Sequence, residues 1–448
     1  MRVLRTALGV TLASLLLTLA GACAAPTRDG SAPYLNMPVD PRQPLPALLS
    51  ATGAFADVRT LQPTAGLIPY ELNVPFWSDG ARKTRLMALP AGKVGFAKSG
   101  AWTFPPGTVF VKTFLLPVDP ANPETVRRLE TRLLVVGEAG SVYGAVYKWR
   151  PDNSDADLLP GSATESIPVR GPDGTTRSQS WYFPSRQDCL TCHTAGAGGV
   201  LGMNTRQVNR PSQQSAGVEQ NQLREWNRAG LFTTRIADEE FAALPRLAAA
   251  DDRTRSVEDR ARSYLDANCA QCHRPGGTVA GFDARYETPL DAQALVEGRV
   301  LIDQGIDRAR IIAPHDPWRS MALLRMDTTD DIRMPPLARQ TVDANGVGII
   351  RNWVLSLQGP DVAAPPRVSP AGGTYTGAVE VELTAEPGSD IRYTLDGSAP
   401  GPTDARYGVP LKVTSATTLR ARAYKQGTTR SVIVQETYQV VPGTPVRH

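Results

Sequence analysis

From about Leu49 to Pro184 the chain is a succession of short apolar runs broken at close intervals by Pro and Gly. Stretches such as GTVFVKTFLLPV and RRLETRLLVVGEAGSVYGAVYKWR are rich in Val, Thr, Tyr and Phe, which suit a pleated, half-buried surface. They predict the strands of a β-sandwich or barrel. The pattern changes near residue 185. NQLREWNRAGLF and ADEEFAALPRLA read as short helices between loops. In SVEDRARSYLDAN, residues Val257, Ala261, Tyr264 and Leu265 share one helical face behind a cap built from Ser256 and Asp259. DANGVGIIRNWVLSLQGP places Val347, Ile350, Val354 and Leu357 on one stripe, with Asp343 as start and Gly359-Pro360 as stop. After GPDVAAPPRVSPAGG the runs AVEVELTA, DIRYTLDG, LKVTSATTLRARAY and SVIVQETYQV alternate again, and predict a small β-sandwich over about 367–441.

The totals narrow the class. A chain of 448 residues is too long for one ordinary core. Its 41% hydrophobic and 21% charged content fits a soluble globular protein, and a net charge of +4 gives no reason to expect nucleic acid. The N-terminus reads as a targeting segment. MRVLR is basic, TALGVTLASLLLTLA is apolar but short for a spanning helix, and LAGAC ends on Cys23. That last stretch resembles a bacterial lipobox, which implies a signal peptide over 1–22 and lipidation of Cys23. Ordinary cleavage near Ala22 to Ala25 is the alternative. Either way the expected location is the periplasm or the outer membrane of a Gram-negative bacterium, with membrane contact only through a lipid anchor. Residues 23–48 are Pro-rich and read as a linker.

Cysteine and histidine are scarce, with 5 and 4 in the chain, and they are concentrated. DCLTCHT holds Cys189, Cys192 and His193, and NCAQCHR holds Cys269, Cys272 and His273. C-x-x-C-H is the attachment pattern of haem c: two thiols meet two vinyl groups, and the adjacent imidazole reaches iron. A thioredoxin-like site should stand at a strand-to-helix turn, whereas the second motif follows a helix. A four-cysteine zinc site would leave both histidines without a role. A disulfide over a two-residue gap gains little entropy. The chemistry expected is therefore two covalently bound haem c groups, with His193 and His273 as iron ligands.

The sixth ligands are less evenly determined. The order helix, motif, DDIRMPPLARQ, helix resembles that of small c-type cytochromes, and RMPP resembles their axial-Met segment, which implies Met334 for the second iron, with Met321 and Met326 of SMALLRM as packing residues. For the first iron the candidates are Met203 of AGAGGVLGMNTRQ, His315 of IIAPHDPWRS, or an open position. Asp152, Asp155 and Asp157 lack calcium-loop spacing and read as a solvated turn. FWSDGARKTR reads as a charged turn anchored by Trp77.

Several blocks go beyond the haem motifs. GLIPYELNVPFWSDGARKTRLMALP, YKWRPDNSDADLLPGS, WYFPSRQDCLTCHT, VLGMNTRQVNR, NCAQCHRPGGTVAGFDARYETPL and RMPPLA occur in this order over about 49–360. They resemble an uncharacterised family of exported two-haem c-type cytochromes of Gram-negative bacteria. The resemblance implies single-electron transfer between redox donor and acceptor proteins. A two-haem peroxidase with an open first haem is the enzyme alternative. PAGGTYTGAVEVELTAEPGSDIRYTLDGSAPGP with TTLRARAYKQG is similar to the C-terminal β-sandwich of chitobiase and β-hexosaminidase, which implies a spacer or a docking module for a polysaccharide or a surface protein. The fold class expected is multidomain α+β. A β-sandwich- or barrel-like domain spans 49–184, a first haem segment 185–250 and a cytochrome c-like domain 251–360, the last two forming an α-helical haem region. A linker over 361–369 leads to a β-sandwich over 370–442.

Overall fold

The computed structural model describes residues 35–212, 221–277, 281–337 and 339–442. The expected signal segment and Cys23 lie outside the described residues. No described helix is long and apolar enough to cross a membrane.

The strands begin with β1 (Phe55–Asp57) and β2 (Gln62–Pro63), which pair with each other. β3 (Ile68–Pro69), β4 (Arg82–Ala88), β5 (Val109–Pro117), β6 (Val126–Val136), β7 (Val142–Trp149) and β8 (Ala156–Leu158) follow as one antiparallel sheet in sequential order. The sheet is open, with edges at β3 and β8, and is not closed into a barrel. β9 (Ala163–Arg170) and β10 (Thr176–Phe183) make a separate hairpin.

Alternation along the strands gives the sheet two buried faces. Leu86, Val111, Leu133 and Ala145 face a core closed by Leu35, Met37 and Leu49. The expected Pro-rich linker is, in its described part, a covering segment. The Tyr143 and Tyr147 hydroxyls donate to the Pro38 and Pro46 carbonyls at 2.5 and 2.9 Å. On the opposite face Met87, Phe110 and Leu134 pack with Met203, Val208 and Trp226 from the chain beyond the sheet. Phe114 packs with Trp181 and Phe183 of the hairpin.

The helices are α1 (Arg186–Cys192), α2 (Thr205–Val208), α3 (Gln222–Arg228), α4 (Val257–Cys269), α5 (Met321–Met326) and α6 (Ala344–Ser356). Here the expected fold class is overturned. The described chain is mostly β, 30% strand against 16% helix, and residues 185–360 do not form an α-helical cytochrome region. Four of these six described α-helices have seven residues or fewer. The cause is local: TAGAGGV, RPGG and RMPP are too dense in Gly and Pro to propagate a helix. The first segment also buries its apolar side chains on the sheet rather than on other helices. α4 and α6 do form as the spacing predicts, capped by Ser256 and Asp343. They meet at Gly346, where a Cβ would overlap the Tyr264 ring.

The C-terminal β-sandwich forms as expected. β11 (Arg367–Ser369), β13 (Val379–Thr384) and β16 (Leu411–Val413) make one sheet. β12 (Gly373–Thr376), β14 (Ser389–Thr394), β15 (Ala405–Arg406), β17 (Thr417–Lys425) and β18 (Val434–Val441) make the other. Val381, Leu419 and Tyr438 fill the space between them. Asp307 joins this domain to the preceding one, 3.0 Å from buried Arg422 and 3.3 Å from buried Arg319. Arg319 also donates to the Arg430 and Ser431 carbonyls at 3.1 Å.

Candidate functional site

The first motif begins in α1. Ser185 caps the helix: its hydroxyl accepts the Asp188 N–H at 3.1 Å, and Asp188 in turn accepts the Ser185 N–H at 2.8 Å. Asp188 also accepts the Tyr182 hydroxyl at 2.7 Å, tying the helix start to β10. α1 then lies against β7 at Gly144. A Cβ at that position would stand 2.6 Å from Cys189 Sγ, so glycine is what lets this thiol approach the strand. His193 follows, its Nδ1 2.8 Å from the Gly199 carbonyl oxygen. A carbonyl partner requires the proton on Nδ1, which leaves the Nε2 lone pair available as a ligand. Burial, followed by the Lys112 charge, pushes the His193 pKa down to about 4. The imidazole is neutral near pH 7.

The second motif stands at the end of α4. Buried Asn268 accepts the Trp77 N–H at 2.7 Å, immediately before Cys269. The His273 N–H donates to the Cys269 carbonyl at 2.9 Å, and its ring stacks on Phe282 at a centroid distance of 4.4 Å. Burial, with a smaller contribution from Arg325, holds its pKa down to about 4. Its Nδ1 is buried without a hydrogen-bond partner. A neutral imidazole is the protonation state that a metal ligand requires.

The fold brings the two motifs together. The Cys192 and Cys272 side chains are hydrogen-bonded to each other, and that bond, with burial second, pushes the Cys192 pKa upward. Burial raises the Cys189 pKa and takes that of Cys269 up to about 12. None of the four motif cysteines is in a disulfide. Arg206 of α2 links the halves, 3.1 Å from Asp266 of α4 and 2.7 Å from Glu287. Cys189, Cys192, His193, Met203 and Cys272 line one cavity with about 1970 Å³ of empty space, including its open mouth. Among the described residues no three His, Cys, Asp or Glu side chains are grouped to hold a metal ion.

Met203 is 1% exposed and lines the same cavity as His193. Met334 is half-buried and donates its N–H to the Arg325 carbonyl at 2.9 Å. Pro335, Pro336 and Leu337, which follow it, line the cavity. Met321 and Met326 are buried in α5. His315 belongs elsewhere: its Nδ1 lies 2.7 Å from the Leu355 carbonyl oxygen and its Nε2 3.3 Å from Asp361. Asp155, expected in a solvated turn, is buried and accepts the Ser50 N–H and hydroxyl at 3.1 and 2.5 Å.

Three contributions escape a linear reading. Asp79 is buried, and its Oδ1 accepts the Gln340 N–H, the Thr341 N–H and the Thr341 hydroxyl at 2.7, 2.7 and 3.0 Å. The expected charged turn is thus a clamp on the chain that follows Met334. Gly144 does carry a sequence signal, since a lone Gly inside a β-branched run marks a close approach. Lys112 is the single cation of β5 and Arg132 one of three arginines in β6, and both line the cavity.

Residues 370–435 match the family of the Chitobiase/beta-hexosaminidase C-terminal domain, which accords with the β-sandwich found there. No curated protein sequence matches this chain.

Proposed function

We propose that this protein is an exported two-haem c-type cytochrome that passes single electrons between periplasmic or surface redox partners. The convergence of the two C-x-x-C-H motifs, with Cys192 and Cys272 in contact, carries the reading. Two groups anchored to touching cysteines are held near each other, and proximity is what transfer between them requires. Each bound haem supplies a one-electron couple at its iron.

The chain's own residues do the rest. Cys189, Cys192, Cys269 and Cys272 hold the groups covalently. His193 and His273 offer neutral imidazoles, the first oriented by the Gly199 carbonyl. Met334 is the sixth ligand proposed for the second iron, and Met203, buried and lining the same cavity as His193, for the first. Thioether ligation raises the potential above that of a bis-histidine haem. The C-terminal β-sandwich serves as a docking or spacing module, and Cys23 as the lipid attachment.

The test is a pyridine haemochrome count with electron paramagnetic resonance, on full-length protein matured in a host that attaches haem. Two covalent haems, both low-spin, are expected. One high-spin iron would transfer the reading to a peroxidase with an open first site. No covalent haem would end it.

A further inference from the structure

The face of the sheet beneath the first motif carries a charge arrangement that the fold does not balance. Arg85 of β4 stands directly opposite Lys112 of β5, and Lys112 directly opposite Arg132 of β6. Like charges facing one another across antiparallel strands repel, and lining a cavity rather than open water strengthens the repulsion. All three line the cavity that holds Cys189 and His193. The outer two have acidic neighbours: Arg132 meets Glu130 at 2.6 Å, and Arg85 meets half-exposed Glu71 at 3.7 Å. The Lys112 ammonium, in the middle, has neither hydrogen bond nor ion pair among the described residues and lies 5.3 Å from the Phe114 ring centre. Burial brings its pKa down to about 7, with the Arg132 and Arg85 charges next.

An unpaired cation between two arginines is costly unless an anion sits against it. Two guanidinium forks flanking an ammonium suit a planar carboxylate or an oxyanion. The geometry points to an anion site on the Arg85–Lys112–Arg132 rung, taking the carboxylates of the group that Cys189 and Cys192 anchor. This inference rests on the haem reading, because haem c carries two propionates. A free small oxyanion is the other source of the same chemistry.

The experiment compares full-length wild type with Lys112→Met and Lys112→Arg, matured in a haem-attaching host. Resonance Raman reads the propionate bending band, spectroelectrochemistry the two midpoint potentials, and calorimetry the uptake of inorganic phosphate. If propionates occupy the rung, Lys112→Met shifts the bending band and lowers one midpoint potential while the other stays, and Lys112→Arg restores both. If a free oxyanion occupies it, wild type binds one phosphate, Lys112→Met binds it at least tenfold more weakly, and the Raman band does not move. The site is overturned if Lys112→Met changes neither the band nor the potentials and phosphate does not bind wild type. Wild type without covalent haem would end the reading under Proposed function, and phosphate uptake alone would then decide the rung: binding lost in Lys112→Met upholds it, no binding overturns it. A melting curve shows whether each variant folds.

Discussion

Gly144→Ala is the sharpest test of how the first motif is seated. Gly144 lies in β7 with an ordinary extended backbone, so alanine meets no conformational objection there. In an uncrowded strand this substitution gains about 0.5–1 kcal/mol. Here the new methyl would stand 2.6 Å from Cys189 Sγ and 2.9 Å from Cys189 Cβ. Non-bonded carbon contacts lie at about 3.5–4 Å, so an overlap near 1 Å must be relieved. Overpacking of this kind costs about 1–3 kcal/mol, which outweighs the gain and leaves a net loss of up to about 2.5 kcal/mol. α1 contributes no fully buried side chain, so it is the element that yields, moving Cys189 off the sheet. Mass mapping of peptides from protein matured with haem should show attachment at Cys189 falling while Cys269 and Cys272 remain loaded. Melting should fall by a few degrees. Full attachment at Cys189 with an unchanged melting temperature would refute the idea that glycine makes this approach possible.

Gly348→Ala, also a glycine without a positive φ, meets nothing within 4 Å and lies inside α6, so it should stabilise the chain by about 0.5–1 kcal/mol, read by thermal melting. Asp79→Ala removes the acceptor of three hydrogen bonds and should cost about 3 kcal/mol. It should also speed proteolytic cleavage near 340, and equal cleavage rates would count against the clamp. Asp307→Ala leaves buried Arg422 without its carboxylate, while Arg319 keeps Asp316 at 2.8 Å, at a cost of about 3 kcal/mol. Limited proteolysis should then release the C-terminal sandwich, and an intact tail would show that the hydrogen bonds from Arg319 suffice. Met203→Ala opens a hole in the sheet-facing core and should cost about 2–5 kcal/mol by denaturant titration.

The local features were legible because they depend on neighbours in sequence. Ser256 and Asp343 announce their helices, and Val347, Ile350 and Val354 fall on the buried stripe. The strands of the sheet follow from β-branched alternation. Fold class failed because short apolar runs at 185–250 look the same whether they bury against helices or against a sheet. Met203, Val208 and Trp226 buried against the sheet. The meeting of Cys192 with Cys272, the Asp79 clamp and the cationic rung are products of long-range pairing, which no local period encodes. Lys112 is a single residue in TVFVKTFLL; only strand register places it between Arg85 and Arg132.

The touching thiols also set an order of events for the newly made chain. Two sulfurs in hydrogen-bond contact are one two-electron oxidation away from a cross-link. In an oxidising compartment that cross-link would staple the segment after β10 to the end of α4 and consume a cysteine from each motif. Under the proposed haem attachment, maturation becomes a race that folding can lose: the group has to be in place on these cysteines before the two halves of the chain close on each other.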